Sequence, residues 1–182
     1  MQDSNGRPIE YLRLSVTPAC AMRCIYCRPG TLDPANPRSL LSPDEIEGLV
    51  RHLVENHGLR KVRLTGGEPT SRSDLPDIVR RLARLDLHDL AMTTNGLTLA
   101  RQAKALAACG LRRVNVSLDS LDPNCFRRMT GVDGLAQVRN GLDAAAAAGL
   151  APRCSTHFWR CEGGTADPSS SWMSQEQQVS KK

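Results

Sequence analysis

The chain has 182 residues, of which 40% are hydrophobic and only 3% aromatic, and carries a formal net charge of +5. That length suits one domain with a real core, and the scarcity of rings makes the core aliphatic. Basic residues are spread rather than clustered, and few aromatics are available for stacking, which argues against a nucleic-acid polymer as partner.

No apolar run approaches the roughly 18 residues of a membrane span, so no membrane partner is expected. The first residues, Met1 to Pro8, lack the pattern of a secretory leader, and a reducing cytoplasm is the expected compartment. The positive charge permits an anionic partner without naming one.

Residues 1–10 read as an N-terminal lead. From Leu12 to Thr17 apolar and polar residues alternate as in a strand, and a loop follows with Cys20, Cys24 and Cys27 at spacing C-x3-C-x2-C. Thiolates are soft ligands that suit iron–sulfur clusters or zinc. Three on one loop can hold three corners of a four-iron cluster and leave the fourth iron open for chemistry. A structural zinc site normally takes four N/S ligands, often as paired C-x2-C knuckles, and only one pair here has that spacing. The odd count of seven cysteines disfavours a disulfide framework. On spacing alone, a cluster stands level with zinc or no metal.

Ser42-Pro43-Asp44-Glu45 supplies a cap, a first-turn proline and a capping-box glutamate. Ile46, Leu49, Val50, Leu53 and Val54 recur behind it at helical spacing, and Gly58 ends the run. Further helices are expected from about Asp74, after Thr98 as far as Gly110, and from Leu135 to Gly149. Short strands lie between them at Lys61–Thr65, Leu90–Thr94 and Arg113–Leu118. Gly58-Leu-Arg-Lys-Val-Arg-Leu64 resembles Gly110-Leu-Arg-Arg-Val-Asn-Val116, each leading from a helix into a strand. Such alternation predicts an α/β fold of about four βα units with parallel strands.

The strands are two-faced. Leu12, Leu14, Val62, Leu64, Val114 and Val116 share one parity; Arg13, Ser15, Arg63, Thr65, Asn115 and Ser117 share the other. Open parallel sheets are covered on both faces and read as continuous apolar runs. A half-exposed antiparallel sheet would alternate too, but the intervening helices oppose it. A curved βα barrel with a wet, positively charged lumen fits better and would suit an anionic substrate. The cysteine loop, Gly66-Gly67-Glu68-Pro69, Thr93-Thr94-Asn95-Gly96 and Ser117-Leu118-Asp119-Ser120 all fall at strand carboxyl ends, where βα barrels carry their active sites. Taken singly, the glycine-containing segments are ordinary turns.

The cysteine loop together with these segments resembles the radical S-adenosylmethionine (SAM) superfamily. Within it, Tyr11-Leu-Arg-Leu-Ser15, Val62 to Pro69, Thr93 to Gly96 and Asn115 to Ser120 are similar to the GTP 3′,8-cyclase family of molybdenum cofactor biosynthesis. The resemblance runs from about Tyr11 to Gly149. It implies a partial radical-SAM barrel in which Cys20, Cys24 and Cys27 hold a [4Fe–4S] cluster whose free iron chelates SAM. Cleavage of SAM would give a 5′-deoxyadenosyl radical that takes the 3′ hydrogen of GTP. It further implies SAM contacts at Tyr26, Gly67 and Ser117, and GTP contacts at Arg13, Arg63 and Thr93. The implied partners are GTP and an electron donor, with a homodimer as an option for full-length members. An arginine fork grips phosphate well. Arg63 could instead be a surface residue on a sheet edge. Glu68 could receive the SAM ammonium or merely cap the following turn. Cys109 and Cys125 read as small core residues.

After Gly149-Leu150 a fifth strand is due by analogy with the earlier Gly-Leu segments. Pro152-Arg153-Cys154-Ser155-Thr156-His157 and a serine-rich end stand there instead. Residues 150–182 are therefore expected to form a divergent, disordered tail, as from a shifted reading frame, with 11–149 the barrel domain. The fourth strand would then be an open edge. Cys154, His157 and Cys161 could form a metal clip. The family's lysine near Cys154, its second cluster and its C-terminal tail have no counterpart, and Pro18 and Ala21 replace its usual aspartate and asparagine. The expectation is a truncated enzyme of this family, inactive in the full reaction. Another radical SAM maturase, a catalytically dead cluster-binding fragment and a zinc module are the alternatives.

Overall fold

The structure is a computed structural model, and it describes residues 2, 4–27, 40–157 and 174–175. Five parallel strands stand in chain order across one sheet: β1 (Tyr11–Ser15), β2 (Lys61–Thr65), β3 (Asp89–Thr94), β4 (Arg113–Ser117) and β5 (Ala151–His157). A two-residue strand, β6 (Ser174–Gln175), pairs antiparallel with the end of β5. The crossovers carry α1 (Pro43–His57), α2 (Leu75–Leu82), α3 (Leu99–Ala108), α4 (Pro123–Thr130) and α5 (Leu135–Ala147).

The caps work as the residue types require. Ser42 Oγ accepts from the Glu45 N–H at 3.2 Å while Glu45 Oε2 accepts from the Ser42 N–H at 2.8 Å, closing a capping box on α1. Asp122 Oδ1 accepts from the Cys125 N–H at 2.7 Å and Pro123 opens α4. Helix α4 is not among the helices expected from the sequence. The cap, the proline and the terminating Gly131 mark α4 at both ends.

The core lies on one face of the sheet. Val62, Leu64, Met92, Val114 and Val116 are fully buried there against Ile46, Val50, Ile78, Leu82, Leu99, Leu106 and Val138 of the helices. The other face keeps Arg13 exposed and Arg63, Thr93, Asn115 and Ser117 half-buried. The alternation thus reports one helix-covered face and one polar face, and both arginines lie away from the helices. Arg63 is also not on an edge, because β2 is hydrogen-bonded on both sides.

The expected end of ordered structure at Gly149 is corrected. β5 follows at once, pairs with β4 from Arg113↔Ala151 to Ser117↔Ser155, and leaves β4 with a neighbour on each side. The reason is a turn used three times. Leu59, Leu111 and Leu150 are each buried. The Leu111 and Leu150 N–H groups bond the carbonyls of Leu106 and Ala145, five residues back as in a Schellman closure, and the Leu59 N–H bonds that of Leu53, six back. Gly149, at φ 77°, supplies the left-handed residue this closure needs. Ladder hydrogen bonds come from the backbone, so polar side chains after Leu150 do not prevent pairing. Residues 158–173 and 176–182 of the expected tail, and Cys161 of the suggested clip, lie outside the described residues.

Leu150 is the apolar anchor of this turn. Leu150→Ala should lower stability by about 2–5 kcal/mol in denaturant unfolding. An unchanged midpoint would mean that the turn and β5 do not form.

Candidate active site at the strand ends

The cysteine loop leaves β1 and lies directly on the loop after β2. The Gly67 N–H donates to the Thr17 carbonyl at 2.6 Å and the Glu68 N–H to the Ala19 carbonyl at 2.7 Å. A Cβ on Gly66 would stand 2.3 Å from the Thr17 oxygen, and one on Gly67 would stand 2.4 Å from that of Pro18. Only glycine permits this approach. On its other side the loop is tied to the end of α4, with the Arg23 N–H bonded to the Thr130 carbonyl at 2.8 Å and the Ile25 N–H to that of Met129 at 2.9 Å. The helix missed in the sequence is therefore a wall of the site.

Three further ties converge here. The Tyr26 hydroxyl donates to Asp119 Oδ2 at 2.6 Å, joining the cysteine loop to the segment after β4 that also carries Ser117. Burial and then the Asp119 carboxylate push the Tyr26 phenol well above its ordinary range, so it stays a donor. Glu68 is almost completely buried. Its Oε1 accepts from the Thr70 N–H (3.0 Å), the Thr70 hydroxyl (2.6 Å) and the Thr94 hydroxyl (2.7 Å), and its Oε2 from the Asn95 N–H (2.6 Å). Capping the turn at Pro69–Ser71 is thus one of its roles, and the second is to fasten the end of β3.

Arg72, which sequence reasoning passed over, is the third. Its guanidinium donates to the carbonyls of Val16 (2.8 Å) and Leu41 (2.6 Å) and grips Asp74 through Nε (2.6 Å) and Nη2 (2.9 Å). It thus clamps the end of β1 and the approach to α1 onto one cation.

Below the strand ends, Arg13 and Arg63 are register neighbours on the polar face. One layer nearer the ends, Thr93 pairs with Asn115, which pairs with Arg153. The Arg63 Cζ lies 5.6 Å from the centroid of the Tyr11 ring. Among the described residues, Arg63 Nε and Asn115 Oδ1 are buried side-chain atoms without a hydrogen-bond partner. A buried unpaired donor and acceptor on one face suit a polar ligand. Arg113 is engaged by Asp89, whose carboxyl it holds below the ordinary range.

The three cysteines are brought to one loop, with Cys20 and Cys27 exposed and Cys24 half-buried. Burial raises the Cys24 thiol, against a hydrogen bond from Tyr26 that lowers it, and the nearby Asp119 carboxylate adds to the rise. Among the described residues no three His, Cys, Asp or Glu side chains converge as ligands of a single ion would. Thiolates that each take a different iron of a cluster need not converge on one point. An all-thiolate donor set on one loop suits an iron–sulfur cluster.

The family model for the Radical SAM superfamily matches residues 14–158. The chain belongs to the radical SAM superfamily. It is 52% identical over 156 residues to a GTP 3′,8-cyclase of Xanthomonas axonopodis pv. citri, covering 82% of this chain and 46% of that one. Over 159 residues it is 50% identical to the enzyme of that name from Acidothermus cellulolyticus, covering 84% and 44%. The chain thus spans less than half the length of the curated relatives it matches. Its fold is similar to Streptococcus suis SuiB bound to S-adenosylmethionine (TM-score 0.70, 21% identity, 84% of this chain and 35% of that one). It is similar also to HydG, a maturase of the [FeFe]-hydrogenase (TM-score 0.66, 15% identity, 82% and 35%). These likenesses make the sheet part of a radical SAM (βα) barrel.

In this radical SAM domain, Gly67→Ala should force the cysteine loop off the loop below it. Iron bound after anaerobic reconstitution should fall severalfold while far-ultraviolet circular dichroism stays near native; full loading would show that the close approach is dispensable. Arg72→Ala should cost about 1–3 kcal/mol, because it leaves two carbonyls without their donor, while solvent compensates the partly exposed Asp74. The Arg72 contact holds the Asp74 carboxyl below its ordinary value. Its contribution is therefore complete above pH of about 4 and is lost as pH falls through the depressed value. Acid unfolding of Asp74→Asn should lack that component, and an unchanged acid limb would contradict the pairing.

Proposed function

We propose that this chain carries the cluster-binding and SAM-binding part of a GTP 3′,8-cyclase, a lyase of molybdenum cofactor biosynthesis. The observation that carries the reading is the polar sheet face, where Arg13 and Arg63 stand side by side below the cysteine loop. The identity of about half to named GTP 3′,8-cyclases supports it. Cys20, Cys24 and Cys27 would hold a [4Fe–4S] cluster. When bound, that group supplies an open iron for the amino and carboxylate groups of SAM and an electron for cleavage of its sulfonium.

The chain's own residues then have defined tasks. Gly67 lets SAM lie close to the backbone, and Tyr26 and Ser117 flank it from the cysteine loop and from β4. Oε1 of Glu68 is filled, so an ammonium contact at Glu68 falls to Oε2. Arg13 and Arg63 take phosphate oxygens of GTP by charge-assisted hydrogen bonds, and Thr93 adds a hydroxyl one layer above. A cytoplasmic setting, an external electron donor and a homodimeric full-length enzyme belong to the same reading. No helix among the described residues is long and apolar enough to cross a membrane.

The 182 residues span less than half the length of the GTP 3′,8-cyclases they match, and on this reading they carry SAM cleavage without GTP cyclisation. Anaerobic assays of the reconstituted chain should yield 5′-deoxyadenosine and no cyclised nucleotide; cyclised product would overturn this part. Arg13→Ala and Arg63→Ala should each weaken GTP binding by tenfold to about a hundredfold, the loss of one charge-assisted hydrogen bond of about 1.5–3 kcal/mol. Unchanged dissociation constants in equilibrium dialysis would favour a radical SAM enzyme with a different substrate.

A further inference from the structure

Asn95 follows β3 and is held at two points. Its N–H donates to Glu68 Oε2 at 2.6 Å, and its side-chain Oδ1 accepts from the Leu97 N–H at 3.0 Å. The second contact decides the orientation of the amide, because only the oxygen can face a donor. The nitrogen is left pointing the other way, and Nδ2 lies 3.7 Å from Cys20 Sγ. A turn-forming asparagine accounts for the Oδ1 contact. It does not account for an amide donor aimed at a cysteine 75 residues earlier in the chain.

The arrangement is rigid for a reason. Glu68 also holds the Thr94 hydroxyl, and the Thr70 hydroxyl that donates to Glu68 accepts from the Thr98 hydroxyl at 2.7 Å. Gln102 Nε2 braces the same turn through the Thr70 carbonyl at 3.0 Å. The donor is thus set by a network that reaches into α3, and it does not swing with the exposed cysteine loop.

Hydrogen bonds to the sulfurs are among the groups that set the reduction potential of an iron–sulfur centre. Reduction adds one negative charge to the unit of iron, sulfide and thiolate. A donor at a ligating sulfur stabilises the reduced form more than the oxidised form and raises the potential. We infer that Asn95 is a positioning residue that donates an N–H···S hydrogen bond to the Cys20 thiolate and eases reduction of the cluster. The inference rests on the reading that Cys20, Cys24 and Cys27 hold that cluster.

The test compares the reconstituted native chain with Asn95→Ser and Asn95→Asp by anaerobic redox titration. Serine keeps an oxygen for the Leu97 N–H but is too short to reach Cys20, and aspartate keeps Oδ1 while replacing the donor with an acceptor. Both variants should load iron as the native chain does. At a fixed solution potential their ratio of reduced to oxidised cluster should fall about tenfold, which for a one-electron couple is about 59 mV. Equal potentials in all three fully loaded chains would overturn the role of Asn95 and leave the cluster reading intact. A native chain that takes up no iron would remove both. Should either variant fail to fold, the native chain labelled at asparagine with the heavy nitrogen isotope answers the same question. Nitrogen coupling to the reduced cluster is expected in its paramagnetic resonance, and absence of coupling would overturn the assignment.

Discussion

The site is organised by a contact with no room for a side chain. Gly66 and Gly67 lie against the backbone of Thr17, Pro18 and Ala19, with hydrogen bonds from Gly67 and Glu68 closing the seam. That seam places an exposed, cysteine-bearing loop at a fixed height above the polar sheet face. A loop held only at its ends would not keep three thiolates in a usable arrangement, because ordering it costs about 1–2 kcal/mol per residue. Here the ordering is shared among the glycine seam, the Arg72 clamp, the two bonds to α4 and the Tyr26–Asp119 tie.

Glu68 and Arg72 show how buried polar groups position this surface. Each makes four hydrogen bonds, and each joins segments that are distant in the chain. A buried carboxylate or guanidinium is costly unless its hydrogen-bonding capacity is met. Once met, it fixes the ends of neighbouring strands relative to one another. The polar face differs, because Arg63 Nε and Asn115 Oδ1 have no such partners. Satisfied groups hold the frame, while unsatisfied ones are left for whatever binds.

Much of this was legible in the sequence because local chemistry and global fold agree. The Ser42 cap, the alternation along β1, β2 and β4 and the Gly-Leu turns each act within a few residues, so they survive reading without coordinates. What was not legible is long-range. The donors to Glu68 include groups on Thr94 and Asn95, and the Arg72 acceptors include the carbonyls of Val16 and Leu41; neither has a local periodicity. β5 was misjudged because side-chain polarity was weighed where backbone pairing and the Leu150 anchor decide. Helix α4 was not assigned, although Asp122, Pro123 and Gly131 bracket it.

The central claim is that Cys20, Cys24 and Cys27 hold a cluster with one iron open to S-adenosylmethionine. The most direct measurement is the electron paramagnetic resonance spectrum of the anaerobically reconstituted, reduced chain, recorded with and without added S-adenosylmethionine. A [4Fe–4S] signal that changes on addition of S-adenosylmethionine is the expected result. A sample without iron–sulfur signal, or a signal indifferent to the ligand, would contradict it.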